Sequence, residues 1–158
     1  RLNDYRAFVQ PEALAGMADF LYANSSSDEQ FIYEMWTIVQ QLTSYAYDPD
    51  GLNDTPRMPL ETLLAGGGDC EDTSILLASM LAAANHDWDI ALIYLDADHP
   101  YQFSGAANHM MVYIFTGQAE YYIETTSPRE KGRVEESFSI QNELQPFGAV
   151  DGVYLLLQ

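Results

Sequence analysis

The apolar pattern of this chain changes period once, and that change constrains the fold more than any other feature. Up to about residue 84 apolar side chains recur at helical spacing, and beyond it they come in short runs separated by polar or glycine-containing turns. Pro11 opens a first helix, along which Leu14, Met17, Ala18, Leu21 and Tyr22 recur until "NSSSDE" interrupts them. Ser27 followed by Asp28 and Glu29 is a start signal for a second, whose stripe of Phe31, Ile32, Met35, Trp36, Val39 and Leu42 predicts a helix from Asp28 to about Tyr45. A third runs from Cys70 to about Ala84 and carries Leu76, Leu77, Met80 and Leu81. The runs "IALIYL", "HMMVYIF", "EYYIET" and "GVYLLL" then read as strands. Helices first and strands later predict an α+β domain, with N-terminal helices and the Cys70 helix packed on a mainly antiparallel sheet. Residues 1–158, 47% hydrophobic, suffice for a single domain burying roughly 68–70% of its unfolded surface.

Charge narrows the partners. With 24 acids against 6 basic residues the formal charge is −18, and Lys131 is the only lysine. Such a chain has no basic face with which to hold phosphates, so nucleic acid is not expected as a partner. The acids punctuate every segment, as in "DWDIALIYLDAD", and the aromatic content of 13% argues for a folded chain. A surface adapted to high salt follows, with an archaeal halophile as the expected source and an acidic mesophilic domain as the alternative. Asp48, Asp50 and Asp54 in "DPDGLNDTPRMP" resemble part of a calcium loop, but the glycine is misplaced for an EF-hand, and neither metal nor cofactor is expected. No run has the ~18–20 apolar residues of a membrane span. A start at Arg1 rather than methionine fits a fragment of a longer, anchored protein and leaves the compartment open, cytoplasmic or extracytoplasmic.

Within "LLAGGGDCEDTSILLASML" the single cysteine, Cys70, stands where a loop becomes a helix. One cysteine forms no internal disulfide, so it is either a small buried hydrophobe or a reagent. The positive end of a helix favours thiolate over thiol, and glycines at 66–68 give the backbone freedom and leave room for a substrate. Asp69, Glu71 and Asp72 oppose this, because nearby negative charge disfavours a thiolate. Asp69 as helix cap and Asp72 in a hydrogen bond would lessen the conflict, and a cationic partner is still required. His86 and His99 read as surface loop residues, whereas His109 opens a strand. If Phe115 lies opposite Glu120 across the turn "TGQA", then Glu124 lies opposite Met111 and diagonal to His109 on one face. A turn of odd length or a bulge would separate them.

"GDCEDTSILLASML", "NHMMVYI" and "YYIETT", preceded by "PRMPLETLLAGG", resemble the transglutaminase-like superfamily, in particular its archaeal and bacterial transglutaminase-like cysteine proteinases, over about residues 30–127. The resemblance implies a papain-like core with Cys70 as nucleophile, His109 as general base and Glu124 orienting the imidazole. It also implies an oxyanion site made by the Cys70 backbone N–H and a tyrosine, Tyr45 or Tyr47. Two departures stand out. The acid is more often aspartate, and Thr125 and Thr126 beside it are easily mistaken for the functional position. Met110 and Met111 replace an alanine and an aromatic.

Taken singly, each of these residues has an ordinary structural explanation: a buried thiol, a satisfied histidine, core aromatics, methionines that fill a core. Together they favour an enzyme over a binding module that keeps only the groove, or over a purely structural role. The expected reaction is amide hydrolysis of a protein or peptide through a thioester. Acyl transfer to an amine is the alternative, disfavoured because lysines are mostly protonated near neutral pH.

Overall fold

The computed structural model describes residues 4–48, 55–84, 86–126, 134–137 and 148–156. Two single 3-10 turns, Tyr5–Phe8 and Pro11–Leu14, lead into helix α1, Ala15–Asn24, so the proline opens a tight turn before the α-helix begins. Helix α2, Asp28–Leu42, starts where Ser27 Oγ accepts the Gln30 N–H at 3.2 Å, with Asp28 and Glu29 in its first turn. Of its predicted stripe Phe31, Ile32, Met35, Trp36 and Val39 are buried, whereas Leu42, the last residue of the helix, is exposed. The helix stops at Leu42, short of Tyr45, because Ser44–Tyr45 form a short strand, β1, parallel to Gly67–Gly68, β2. Between them lies α3, Pro59–Ala65, which the periodicity does not predict; Pro59 occupies its first turn and Glu61 accepts the Met58 N–H at 2.9 Å.

Helix α4, Cys70–Ala82, is buried from Glu71 to Leu81. Ile75, Leu76, Leu77, Met80 and Leu81 are all at most 1% exposed, and each contributes roughly 1.5–3 kcal/mol by burial. The sheet is antiparallel throughout, in the order β6-β5-β4-β3-β7, with β3 at Asp89–Asp96, β4 at His109–Phe115, β5 at Glu120–Ile123, β6 at Val134–Ser137 and β7 at Ala149–Leu155. Strand β6 lies beyond the runs that the sequence marks as strands. Alternation divides the sheet. Ile90, Leu92, Met110, Val112 and Ile123 face the helices, while Ala91, Ile93, Leu95, Met111 and Tyr122 form a second cluster on the other face. Met110 and Met111 are thus core residues on opposite faces. In β7 the register slips between Tyr94 and Leu95, which pair with Gly152 and Val150 and leave Asp151 as the extra residue of a bulge.

Among the described residues no helix is long and apolar enough to cross a membrane.

Candidate active site

The loop before Cys70 is built by close approach. Gly67 has φ +136°, and a Cβ there would fall 2.0 Å from Ser44 O. At Gly68 a Cβ would fall 2.0 Å from Asp72 Oδ2. The space these glycines leave is therefore filled by β1 and by Asp72 rather than held open for a substrate, which corrects the reading from sequence. Ser44 N donates to Gly66 O at 2.9 Å and Ala46 N to Gly68 O at 3.0 Å, so the ladder fixes Tyr45 beside the start of α4.

Each acid around the cysteine has a separate fate. Asp69 occupies the N-cap position but makes no side-chain cap bond; its carbonyl instead accepts the Thr73 N–H at 3.2 Å. Asp72 is fully buried, accepts the Arg57 N–H at 2.8 Å and pairs with the Arg57 guanidinium, which also reaches Asp48 Oδ1 at 3.2 Å. Burial pushes the Asp72 carboxyl up, with Arg57 opposing. Glu71, 5% exposed, lies against the sulfur: Cys70 Sγ donates to its Oε2 at 3.2 Å.

Strand β4 begins at His109, and the β4–β5 ladder pairs Phe115 with Glu120 and Val112 with Ile123. Glu124 follows β5 directly, and its Oε2 lies 2.6 Å from His109 Nε2. The other carboxylate oxygen, Oε1, accepts from Thr126 N and Thr126 Oγ1, each at 2.7 Å, and Trp36 Nε1 donates to Glu124 O at 2.8 Å. With Nε2 engaged by Glu124, Nδ1 is the ring nitrogen left for another partner, and Cys70 is near enough to favour the protonated ring. Burial alone would push the imidazole down, but Cys70 and Glu124 outweigh it and raise it to about 10. Burial likewise pushes Glu124 up, and His109 and Thr126 hold it below the usual carboxylate range. Cys70, His109 and Glu124 are thus brought together: the imidazole is bound to Glu124 and influenced by the nearby sulfur, whose own hydrogen goes to Glu71.

Cys70 and His109 open onto a cleft of about 740 Å³, lined also by Tyr45, Asp69, Glu71, Phe103 and Asp151, while Glu124 stands outside its lining. One wall is the connection from β3 to β4. It is held on Asp96, 1% exposed, which accepts Ser104 N at 2.8 Å and the His99 ring at 3.0 Å and is thereby kept well below the usual carboxylate range. The β7 bulge supplies Asp151. Of the two expected tyrosines, Tyr45 lines the cleft, and burial followed by the nearby Cys70 raises its hydroxyl to about 12, so it remains an O–H donor. Tyr47, 81% exposed, lies outside the lining, beyond the end of the ladder at Tyr45, with its ring edge-on to Tyr45 at 5.1 Å. The Cys70 N–H belongs to the first helical turn, where amides lack intrahelical acceptors. His86 stacks on Tyr22 at 3.9 Å, and His99 serves Asp96; neither lines the cleft.

Sequence reasoning missed Trp36, Thr126 and Arg57. From sequence Trp36 reads only as part of an apolar stripe, although a buried indole N–H requires an acceptor. No group of three or more His, Cys, Asp and Glu among the described residues is placed to hold a metal ion. Asp50 and Asp54 lie outside the described residues.

No protein-family model and no curated protein matches the sequence. Solved structures do match it in fold. A candidate protease of Parabacteroides distasonis superposes with a TM-score of 0.60 at 16% identity, over 77% of this chain and 24% of that one. A candidate cysteine protease of Cytophaga hutchinsonii gives 0.56 at 14%, over 75% of this chain and 38% of that one. LapG of Legionella pneumophila gives 0.58 at 15%, over 93% of this chain and 88% of that one. The chain has the transglutaminase-like fold, and it spans well under half the length of the first two proteins.

Proposed function

We propose that this chain is a thiol-dependent amide hydrolase acting on proteins or peptides through Cys70, His109 and Glu124. The observation that carries the reading is the His109 ring, bound through Nε2 to Glu124 at 2.6 Å and lining one cleft with Cys70 at the start of α4. The cysteine proteases among proteins of this fold support it at the level of class. The net charge of −18 supports a substrate other than nucleic acid. The whole of 1–158 is taken to work as one domain, on a surface suited to high salt.

The reaction follows from the positions. The thiolate attacks the amide carbonyl carbon and forms the C–S bond, while the oxygen gains charge facing the Cys70 N–H and the Tyr45 hydroxyl. The imidazolium gives its proton to the departing nitrogen as the C–N bond breaks, which leaves a thioester and a neutral imidazole. Water attacks the thioester and gives its proton to His109; the carboxylic acid leaves, and the thiolate–imidazolium pair returns. Glu124, bound to Nε2, holds the imidazole in place throughout. Transfer of the acyl group to an amine in place of water is the second reading, and it shares every step up to the thioester.

Incubation in molar salt with protein substrates and a labelled primary amine separates the two. New peptide ends or released ammonia without label, both lost in Cys70→Ala, are the expected result. Label incorporation that outpaces hydrolysis and needs Cys70 would establish the transferase. No thiol-dependent product of either kind would leave a binding module.

A further inference from the structure

The three elements that carry Cys70, His109 and Glu124 are joined a second time, beneath those residues, by hydroxyl groups. Thr73 and Ser74 lie one helical turn below Cys70, Met110 follows His109, and Thr125 follows Glu124. Thr125 Oγ1 is 2.8 Å from Thr73 Oγ1 and 3.3 Å from Ser74 Oγ, and Ser74 Oγ donates to Met110 O at 3.2 Å. Thr73 Oγ1 donates to Asp69 O at 2.9 Å. All three hydroxyl residues are at most 3% exposed.

The proton count assigns directions. Thr73 gives its hydrogen to Asp69 O, so it accepts from Thr125; Ser74 gives its hydrogen to the β4 carbonyl. A helical serine or threonine commonly bonds back to its own preceding turn, as Thr73 does, whereas Ser74 reaches across to the sheet. From the other side, helix α2 holds the same short segment by two carbonyls, through Trp36 Nε1 to Glu124 O at 2.8 Å and through Gln40 Nε2 to Thr125 O.

Apolar packing of α4 on the sheet is non-directional and by itself tolerates sliding of the helix along the strands. Hydrogen bonds between buried hydroxyls are directional, and leaving one unmade is costly. Resting on the proposed function above, we infer that Thr125, with Thr73 and Ser74, is a positioning group that sets the register of the cysteine helix against the strands carrying the histidine and the acid. A displacement on the order of 1 Å at reacting atoms costs ~100-fold in rate, so a register device of this kind governs reactivity while touching no substrate.

The test uses the full chain and iodoacetamide as the probe of Cys70, with the alkylation rate followed against pH and unfolding midpoints measured in parallel. Thr125→Val, which removes the hydroxyl and keeps the shape, is expected to lower the alkylation rate on the acid side of neutrality by roughly ten-fold, and Thr125→Ser to restore most of it. Ser74→Ala is expected to move the profile in the same direction, and it carries the comparison if the valine variant does not fold. Equal profiles for wild type, Thr125→Val and Ser74→Ala, with only the unfolding midpoint lowered, would reduce the cluster to a structural one. A profile that ignores His109→Ala as well would overturn the thiol–imidazole reading itself and this inference with it. A response to His109→Ala alone overturns only the positioning role.

Discussion

His109 Nε2 and Glu124 Oε2 are 2.6 Å apart although the two residues are not cross-strand partners. Continued by one step, the β4–β5 register sets Glu124 opposite Met111, so the carboxylate reaches His109 along a diagonal, where neighbouring residues are typically ~7–8 Å apart. The additional methylene of glutamate suits that span. Glu124→Asp is expected to lose the bond by falling short, and Glu124→Gln to keep the reach and lose the charge. In both, the His109 titration followed by NMR should move down from about 10, and thiol-dependent amide hydrolysis should fall roughly 100-fold. A His109 titration that stays put in both variants would remove Glu124 from the site.

The same pair defines a pH window for stability. His109, raised from 6.5 to about 10, stabilises the fold fully below pH 6.5 and loses that contribution as pH rises through about 10. Glu124, held below 4.5, stabilises the fold above pH 4.5 and loses that contribution as pH falls through its lowered value. The stability difference between the wild type and the double variant His109→Ala, Glu124→Ala should therefore be largest between pH 4.5 and 6.5 and shrink on either side. Urea unfolding across that range measures it, and a difference that grows above pH 6.5 would reverse the assignment.

Asp72 offers a sharper stability test because its side chain is fully buried beside Gly68 and has Arg57 as its cation. Arg57→Ala leaves that carboxylate uncompensated and is expected to cost roughly 3–5 kcal/mol by urea unfolding. Replacing both partners, as Arg57→Met with Asp72→Leu, should recover much of the loss. A single-variant cost below about 1 kcal/mol would class the pair with exposed ion pairs of little effect.

Salt should act on the whole surface. At a formal charge of −18 the folded chain repels itself, and at ~1 M ionic strength the Debye length falls to about 3 Å, which screens most of that repulsion. The thermal midpoint should rise steeply from dilute buffer to molar KCl. A flat profile would withdraw the salt-adapted reading and leave the chemistry at Cys70 untouched.

The parts of this fold that follow local rules were legible in the sequence. The α4 start at Cys70, the four apolar strand runs and the Phe115–Glu120 register were expected and are observed. What escaped was decided by partners distant in sequence. Tyr45 leaves the helical pattern because Gly68 pairs with it, and only then does Tyr45 separate from Tyr47 as the cleft residue. Helix α3 is seven residues long, with Leu60 and Leu64 exposed, so it shows too little periodicity to be read. Thr73 and Ser74 read as unremarkable hydroxyls, and Thr125 only as a neighbour of the acid, until the sheet is laid against α4 and their oxygens meet.

The parallel pairing of Ser44–Tyr45 with Gly67–Gly68 closes the chain between them into a loop sewn shut at its base, and a further stitch, Thr55 N to Asp48 Oδ2 at 2.7 Å, sits higher up. Lengthening such a loop costs only ~0.6 kcal/mol for each doubling. Tyr45 is therefore anchored by its own ladder, whatever the length of chain that joins β1 to α3. The short ladder works as a hasp: it latches the cleft tyrosine to the glycines that lead into Cys70, so a change of chain length on its far side is not carried into the machinery.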